Sequence, residues 1–170
     1  MPLREVDIES IAVGGGPMAS LVVLRTRRER GEETALELPI RIGQIEAAAI
    51  SMGIARQQGG RPMTHDLLES TISALGGKCV SVRIMAVQGT TFFAQLELEG
   101  ADGERAYVDA RPSDALALAV RTHAPIYADE SVLSTAAAPD FKAVEETEKE
   151  HELAEFHAFV ENLSPEDFNK

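Results

Sequence analysis

Polar and apolar residues divide the chain into short, regular segments. Val6 to Val13 and Ala19 to Arg25 read as strands, and Gly14-Gly15-Gly16-Pro17 turns the chain between them. A third strand covers Ala35 to Ile42. From about Gly43 the period changes to that of a helix, with Ile45, Ala49 and Met52 recurring at helical spacing. A second helix starts at Thr64, and Leu67, Leu68, Thr71, Ile72 and Leu75 are expected to form its buried face. Gly76-Gly77 then supplies the glycine that commonly ends a helix.

The same order follows a second time. Cys79 to Val87 alternates Val80, Val82, Ile84 and Ala86, Gln88-Gly89 turns, and Thr91 to Leu98 answers with Phe92, Ala94, Leu96 and Leu98. Asp102-Gly103 is a hairpin signal leading to a strand from Arg105 to Ala110. The helix that follows, from Ser113 to about His123, has an unbroken apolar run, Ala115 to Val120, and is expected to be buried on most sides. An offset of about 70 residues aligns Arg41 with Arg111, Ala47 with Ala117 and Ala49 with Ala119. The expected fold is therefore α+β: one mixed α/β domain built from two pseudo-repeated units of three strands plus a helix.

Residues 1–133 make that domain in this reading. Ser134 to Pro139 is read as a linker, and residues 134–170 as linker plus an acidic helical extension. In the extension Leu153, Phe156, Val160 and Leu163 recur at spacings of three and four, the stripe of an amphipathic helix. Ser164-Pro165-Glu166-Asp167 starts a further capped turn. The stripe must be covered, either by the main domain or by a partner such as a second copy of the chain.

Charge changes the picture. The chain has 170 residues and a formal net charge of −12, which opposes broad attraction to phosphate backbones. Residues 139–170 hold ten acids and three bases, so more than half of the excess lies in the extension. A single cysteine, Cys79, excludes an intramolecular disulfide and a cysteine-based zinc site. The first residues lack the pattern of a signal peptide, and no apolar stretch approaches the ~20 residues needed to span a bilayer. A cytoplasmic protein without membrane attachment is the expectation.

Two polar clusters interrupt the apolar segments. Arg61-Pro62-Met63-Thr64-His65-Asp66 lies where a helix begins. Thr64 can cap that helix and Asp66 suits the positive end of its dipole, whereas His65 adds nothing to capping. The second cluster is Tyr107-Val108-Asp109-Ala110-Arg111-Pro112-Ser113-Asp114, where a strand ends and a helix starts. There strand alternation would point Asp109 and Arg111 to the same side. No Ser/His/Asp spacing, nucleophile elbow or phosphate loop occurs. Glu46, Asp66, Asp109 and Asp114, with His65, supply oxygen and nitrogen donors that a hard cation accepts. Cations for a phosphate backbone occur at Arg25, Arg27, Arg28 and Arg30, and at Arg56 and Arg61 around a Gln-Gly loop.

Taken in order, these segments resemble the bifunctional nuclease family. The likeness rests on Leu38-Pro39-Ile40-Arg41-Ile42-Gly43, Glu46-Ala47, Arg61 to Leu68, Gly89-Thr90-Thr91-Phe92-Phe93-Ala94, Asp109 to Ala115 and Pro125-Ile126-Tyr127. The acidic extension resembles that of bacterial members. The resemblance implies a mixed α/β domain, homo-oligomers, and nuclease activity on DNA and RNA. It places site residues at Glu46, Thr64, His65, Asp66, Asp109, Arg111, Ser113 and Asp114. On that basis His65 is expected as general acid or base, with Asp66, Asp109, Arg111 and Asp114 as its catalytic companions. Thr64, Ser113 and Arg61 would bind substrate, and Glu46, Asp66 and Asp109 would hold Mg²⁺ or Mn²⁺. The rival expectation is a non-enzymatic regulatory protein that binds a small anion or nucleotide in the same pocket.

Overall fold

The computed structural model describes residues 2–14, 19–27, 35–55 and 60–137. The strand order is unusual and decides where the site can be. β1 (Leu3–Ala12), β2 (Ser20–Thr26) and β3 (Glu37–Ile42) form one antiparallel meander. β4 (Lys78–Gln88), β5 (Thr91–Glu99) and β6 (Arg105–Ala110) form a second. Between them lies β7 (Ile126–Asp129), the last strand in the chain, giving the order β3-β2-β1-β7-β4-β5-β6. β7 pairs antiparallel with β1, where Val6 faces Ile126, and parallel with β4, where Val82 faces the same Ile126. The four residues of β7 are too few to show a strand period in the sequence.

The described turns follow their sequence signals, while Gly15-Gly16-Pro17 lies outside the described residues. Gly89 and Gly103 adopt positive φ in the two hairpins of the second meander, a conformation that side chains resist. Bulges interrupt β1 between Ile8 and Ser10, and β4 between Cys79 and Ser81 and between Ile84 and Ala86. Each bulge adds local twist. The sheet curves far enough for α4 (Glu130–Ala136) to touch β3, β4 and β7 together. α4 takes in Ser134, Thr135 and Ala136, half of the stretch read as linker, and Asp129 caps it by accepting the Ser131 N–H at 2.8 Å.

α1 (Gln44–Ala55) and α3 (Pro112–Thr122) pack against each other, α1 over β2 and α3 over β4 and β5. Ala115 to Ala119 are all buried, as their unbroken apolar run predicts. With Leu24, Leu38, Ile40, Ile50, Val82 and Ile84 they form one continuous core. Small residues allow the approach of the two helices. A Cβ on Gly53 would lie 2.6 Å from both Val120 Cγ2 and Arg121 Nη1.

α2 (Thr64–Ala74) departs from expectation. None of its residues is buried, and Leu67, Leu68 and Leu75 are exposed. It rests mainly on α3, and among the described residues no further element packs over its outer side, so an amphipathic stripe alone did not ensure burial there. Its end is as the glycines predict: Gly76 N–H donates to Ser73 O and Gly77 N–H to Ile72 O, closing the last turn with Gly76 at φ +75°. The amphipathic stripe at Leu153 to Leu163 lies outside the described residues.

Candidate active site

Three helix starts meet where the first meander hands over to α1 and the second to α3. Arg111 is the cap residue of α3, followed by Pro112 with φ preset for the first turn. Asp114, one turn in, accepts from Arg111 Nε at 2.8 Å and from Nη2 at 3.2 Å. Arg111 Nη1 reaches Glu46 Oε1 of α1 at 3.2 Å. His65 Nε2 of α2 lies 3.2 Å from Asp114 Oδ1. Glu46, Arg111, Asp114 and His65 thus form one continuous chain across three helices that are distant in sequence.

The electrostatics follow from these contacts. The Arg111 guanidinium holds the Asp114 carboxyl below its ordinary range. Partial burial opposes that shift, and the His65 contact adds to it. Asp114 and then Glu46 in turn raise the Arg111 pKa. Asp114 therefore stays ionised near neutrality and can accept from both partners. Gly43 has a specific role: a Cβ there would sit 2.1 Å from Glu46 Oε2, so only glycine lets Glu46 fold back to meet Arg111.

A cleft of about 360 Å³ opens beside this chain. Its walls are Arg41 near the end of β3 with Gly43 just beyond it, Thr90 and Thr91 where β5 begins, and Arg111 with Ser113 at the start of α3. Sheet curvature brings these segments together. Phe92 also lines the cleft and packs on the core, while Phe93 is exposed.

Asp66 belongs to a neighbouring arrangement. Its Oδ2 accepts the Met63 N–H at 2.8 Å, and its Oδ1 pairs with Arg121 Nε at 2.5 Å. The Arg121 contact, then the Met63 N–H, lower the Asp66 pKa. The cap residue of α2 is Met63, not Thr64, which is exposed in the first turn. Ser113 likewise lies within the first turn of α3, buried, and does not cap it. Arg61 lines a second hollow of about 500 Å³ with Asp66 and Arg121.

Arg121 escaped sequence reasoning. Its side chain is 5% exposed, and its Nη1 donates to Ala49 O at 3.0 Å and to Ala117 O at 2.7 Å. It therefore ties α1, α3 and α2 together. The available signal was a single cation ending an apolar helix.

Asp109 is not brought into this site within one protomer. β6 ends at Ala110, so strand alternation does not extend to Arg111. Ala110 packs on the core, whereas Asp109 is exposed and shares the opposite face with Tyr107. Glu46 and Asp66 close on different guanidiniums, and among the described residues no three His, Cys, Asp or Glu side chains gather as a metal-binding group. Within one protomer the donors Glu46, Asp66 and Asp109 do not fit a single divalent ion. Arg25 is paired with Glu9, and Arg27 with Asp7 and Glu5; Arg28, Arg30 and Arg56 lie outside the described residues.

Residues 22–140 match the model of the bifunctional nuclease domain. Two relatives, the uncharacterized proteins MT1877 and Rv1829 from two strains of Mycobacterium tuberculosis, are each 41% identical over 150 residues, covering 86% of this chain and 87% of theirs.

Proposed function

The chain belongs to the bifunctional nuclease domain family, and from that premise we propose that it hydrolyses phosphodiester bonds of DNA or RNA at the cleft beside Arg111. The observation that carries this reading is the Glu46–Arg111–Asp114–His65 chain. Such a chain holds a cation and a titratable ring in fixed relation. Arg111 is 65% exposed despite its two carboxylate partners, and its planar fork keeps N–H groups to offer a phosphate.

A neutral His65 that donates from Nε2 to Asp114 leaves Nδ1 as the base. His65 takes a proton from water as the water oxygen attacks phosphorus. The bond from phosphorus to the leaving oxygen then breaks, that oxygen takes up a proton from solvent, and His65 gives its own proton back to solvent. Asp114 positions both His65 and Arg111, while Glu46 fixes Arg111 from the other side. Thr64, Ser113 and Arg61 are assigned to substrate contact. The mirrored order of the two meanders supports a duplicated three-strand-plus-helix unit, with one site formed where the copies meet.

The test is hydrolysis of labelled single-stranded and duplex DNA and RNA, with Mg²⁺, with Mn²⁺ and with chelator. His65→Ala and Arg111→Ala are each expected to lower the rate about 100-fold or more. A rate unchanged by both substitutions would mean that the activity belongs to a contaminant. One observation favours a second reading, a small-anion or nucleotide binder: the hydroxyls of Thr90, Thr91 and Ser113 line the same small cleft as Arg111. Arg111-dependent binding of inorganic phosphate or a nucleotide without turnover would select it.

A further inference from the structure

Consecutive residues of α2 serve two different places. His65 meets Asp114 beside the cleft, whereas Asp66 meets Arg121 in the hollow of about 500 Å³. At a rise of about 1.5 Å per residue, Arg121 lies roughly 15 Å along α3 from Arg111. The hollow is therefore separate from the cleft, yet one short strand could span both. Two charged side chains in it are unspent. Glu69 follows Asp66 by one turn on the same face of α2. It is half-buried and, among the described residues, makes no hydrogen bond or ion pair. Arg61 lines the same hollow, exposed, and has no partner among the described residues either. Asp66 differs, since each of its oxygens already has a donor, Met63 N–H or Arg121.

A ligand that fits must bring donors to Glu69 and an anion to Arg61. Met52, Pro62, Met63 and Val120 supply apolar walls, which suit the faces of a ring. One uncommitted carboxylate offers too few oxygens for a divalent ion. Resting on the phosphodiester reading above, we propose that this hollow holds a guanine base of a nucleotide flanking the scissile bond. The Glu69 carboxylate accepts from guanine N1–H and N2–H, and Arg61 meets a phosphate of the same strand.

The choice of base follows from the carboxylate. Among the common bases only guanine sets two N–H donors side by side on its Watson–Crick edge, and an ionised carboxylate accepts both in one plane. Adenine and cytosine place a ring-nitrogen acceptor beside the amino group. Uracil and thymine flank their one N–H with carbonyls. In each of these a lone pair faces the carboxylate and is repelled. The edge that Glu69 reads is engaged in a duplex, so the hollow selects single strands and unpaired loops.

The test is titration calorimetry of the full chain with the 5′-monophosphates of guanosine, adenosine, cytidine and uridine. The guanosine nucleotide should bind tighter than the other three by about tenfold or more. Glu69→Gln, whose amide offers one acceptor and one donor, should shrink that preference to about threefold or less. Circular dichroism should show this variant melting with the wild type, since no partner of Glu69 is lost among the described residues. Arg61→Ala should weaken all four nucleotides by about fivefold or more. The preference should persist in Arg111→Ala, which removes the cation of the cleft. Equal binding of the four nucleotides, a preference unmoved by Glu69→Gln, affinities unmoved by Arg61→Ala, or a preference lost with Arg111→Ala would each overturn the proposal. The two readings fail separately. Strand hydrolysis without guanine-selective binding removes this site alone, and Glu69-dependent guanine binding without hydrolysis removes the nuclease reading alone.

Discussion

Asp114 serves two partners with one carboxylate, and its ionisation sets the state of the whole chain. Its pKa, like that of Asp66, lies below the ordinary 3.8 in the folded protein. The sign follows: the unfolded carboxylates bind protons more readily, so their stabilising contribution is complete above about pH 4. That contribution is lost as pH falls through the folded values. Thermal unfolding between pH 2 and 6 should therefore show the midpoint dropping below about pH 4, with a shallower slope in Asp66→Asn. Equal slopes would disconnect Asp66 from acid stability. Gly43 offers a different test, because its substitution acts through a neighbour. Gly43→Ala should push Glu46 off Arg111 and lower the hydrolysis rate, while urea unfolding shifts by no more than about 1 kcal/mol, since only the end of a flexible side chain must move. An unchanged rate would show that Glu46 has no positioning role. His65 stood out in the sequence because nothing about helix starts explained it. Gly43 did not, because its contact with Glu46 exists only in three dimensions.

At the scale of elements, α2 is attached to the domain by few groups, and Arg121 is central among them. Replacing Arg121 with Leu removes the Asp66 pair and the hydrogen bonds to Ala49 O and Ala117 O together. We expect a loss of about 2–4 kcal/mol by urea denaturation, more than one exposed ion pair would give, because buried carbonyls lose their donor. A loss below about 1 kcal/mol would mean that water replaces the guanidinium. Gly53→Val should cost about 1–3 kcal/mol by forcing α1 away from α3. The strands of both meanders, the turns at Gly89 and Gly103 and the buried α3 were legible because alternation, turn residues and apolar runs are local signals. β7 was not, since the four residues Ile126–Asp129 are too few to show a period and are defined by their pairing with Val6 and Val82. Asp109 was misplaced for a related reason. Its spacing from Arg111 suggested a shared side, but the strand stops at Ala110 and the helix cap resets the direction.

For the molecule as a whole, the charge of −12 limits how nucleic acid can be held. If Arg111 and Arg61 make the phosphate contacts, affinity for a labelled single strand should fall with salt at a log–log slope no steeper than about −2, each contact contributing about −0.7 to −0.9. A slope of −5 or steeper would require a basic track outside the cleft. The position of β7 has a further consequence, for the time at which the fold becomes possible during synthesis. The two meanders have no direct strand pairing and are joined in the sheet only through a strand encoded after both of them. As the polypeptide leaves the ribosome, the first meander must wait with the β1 edge at Leu3–Val6 open until Ile126–Asp129 emerges and closes it. Chains stalled short of residue 129 would expose that edge. They should depend on chaperones that the finished protein does not need, and pulse-proteolysis of nascent chains should show protection arriving in one late step.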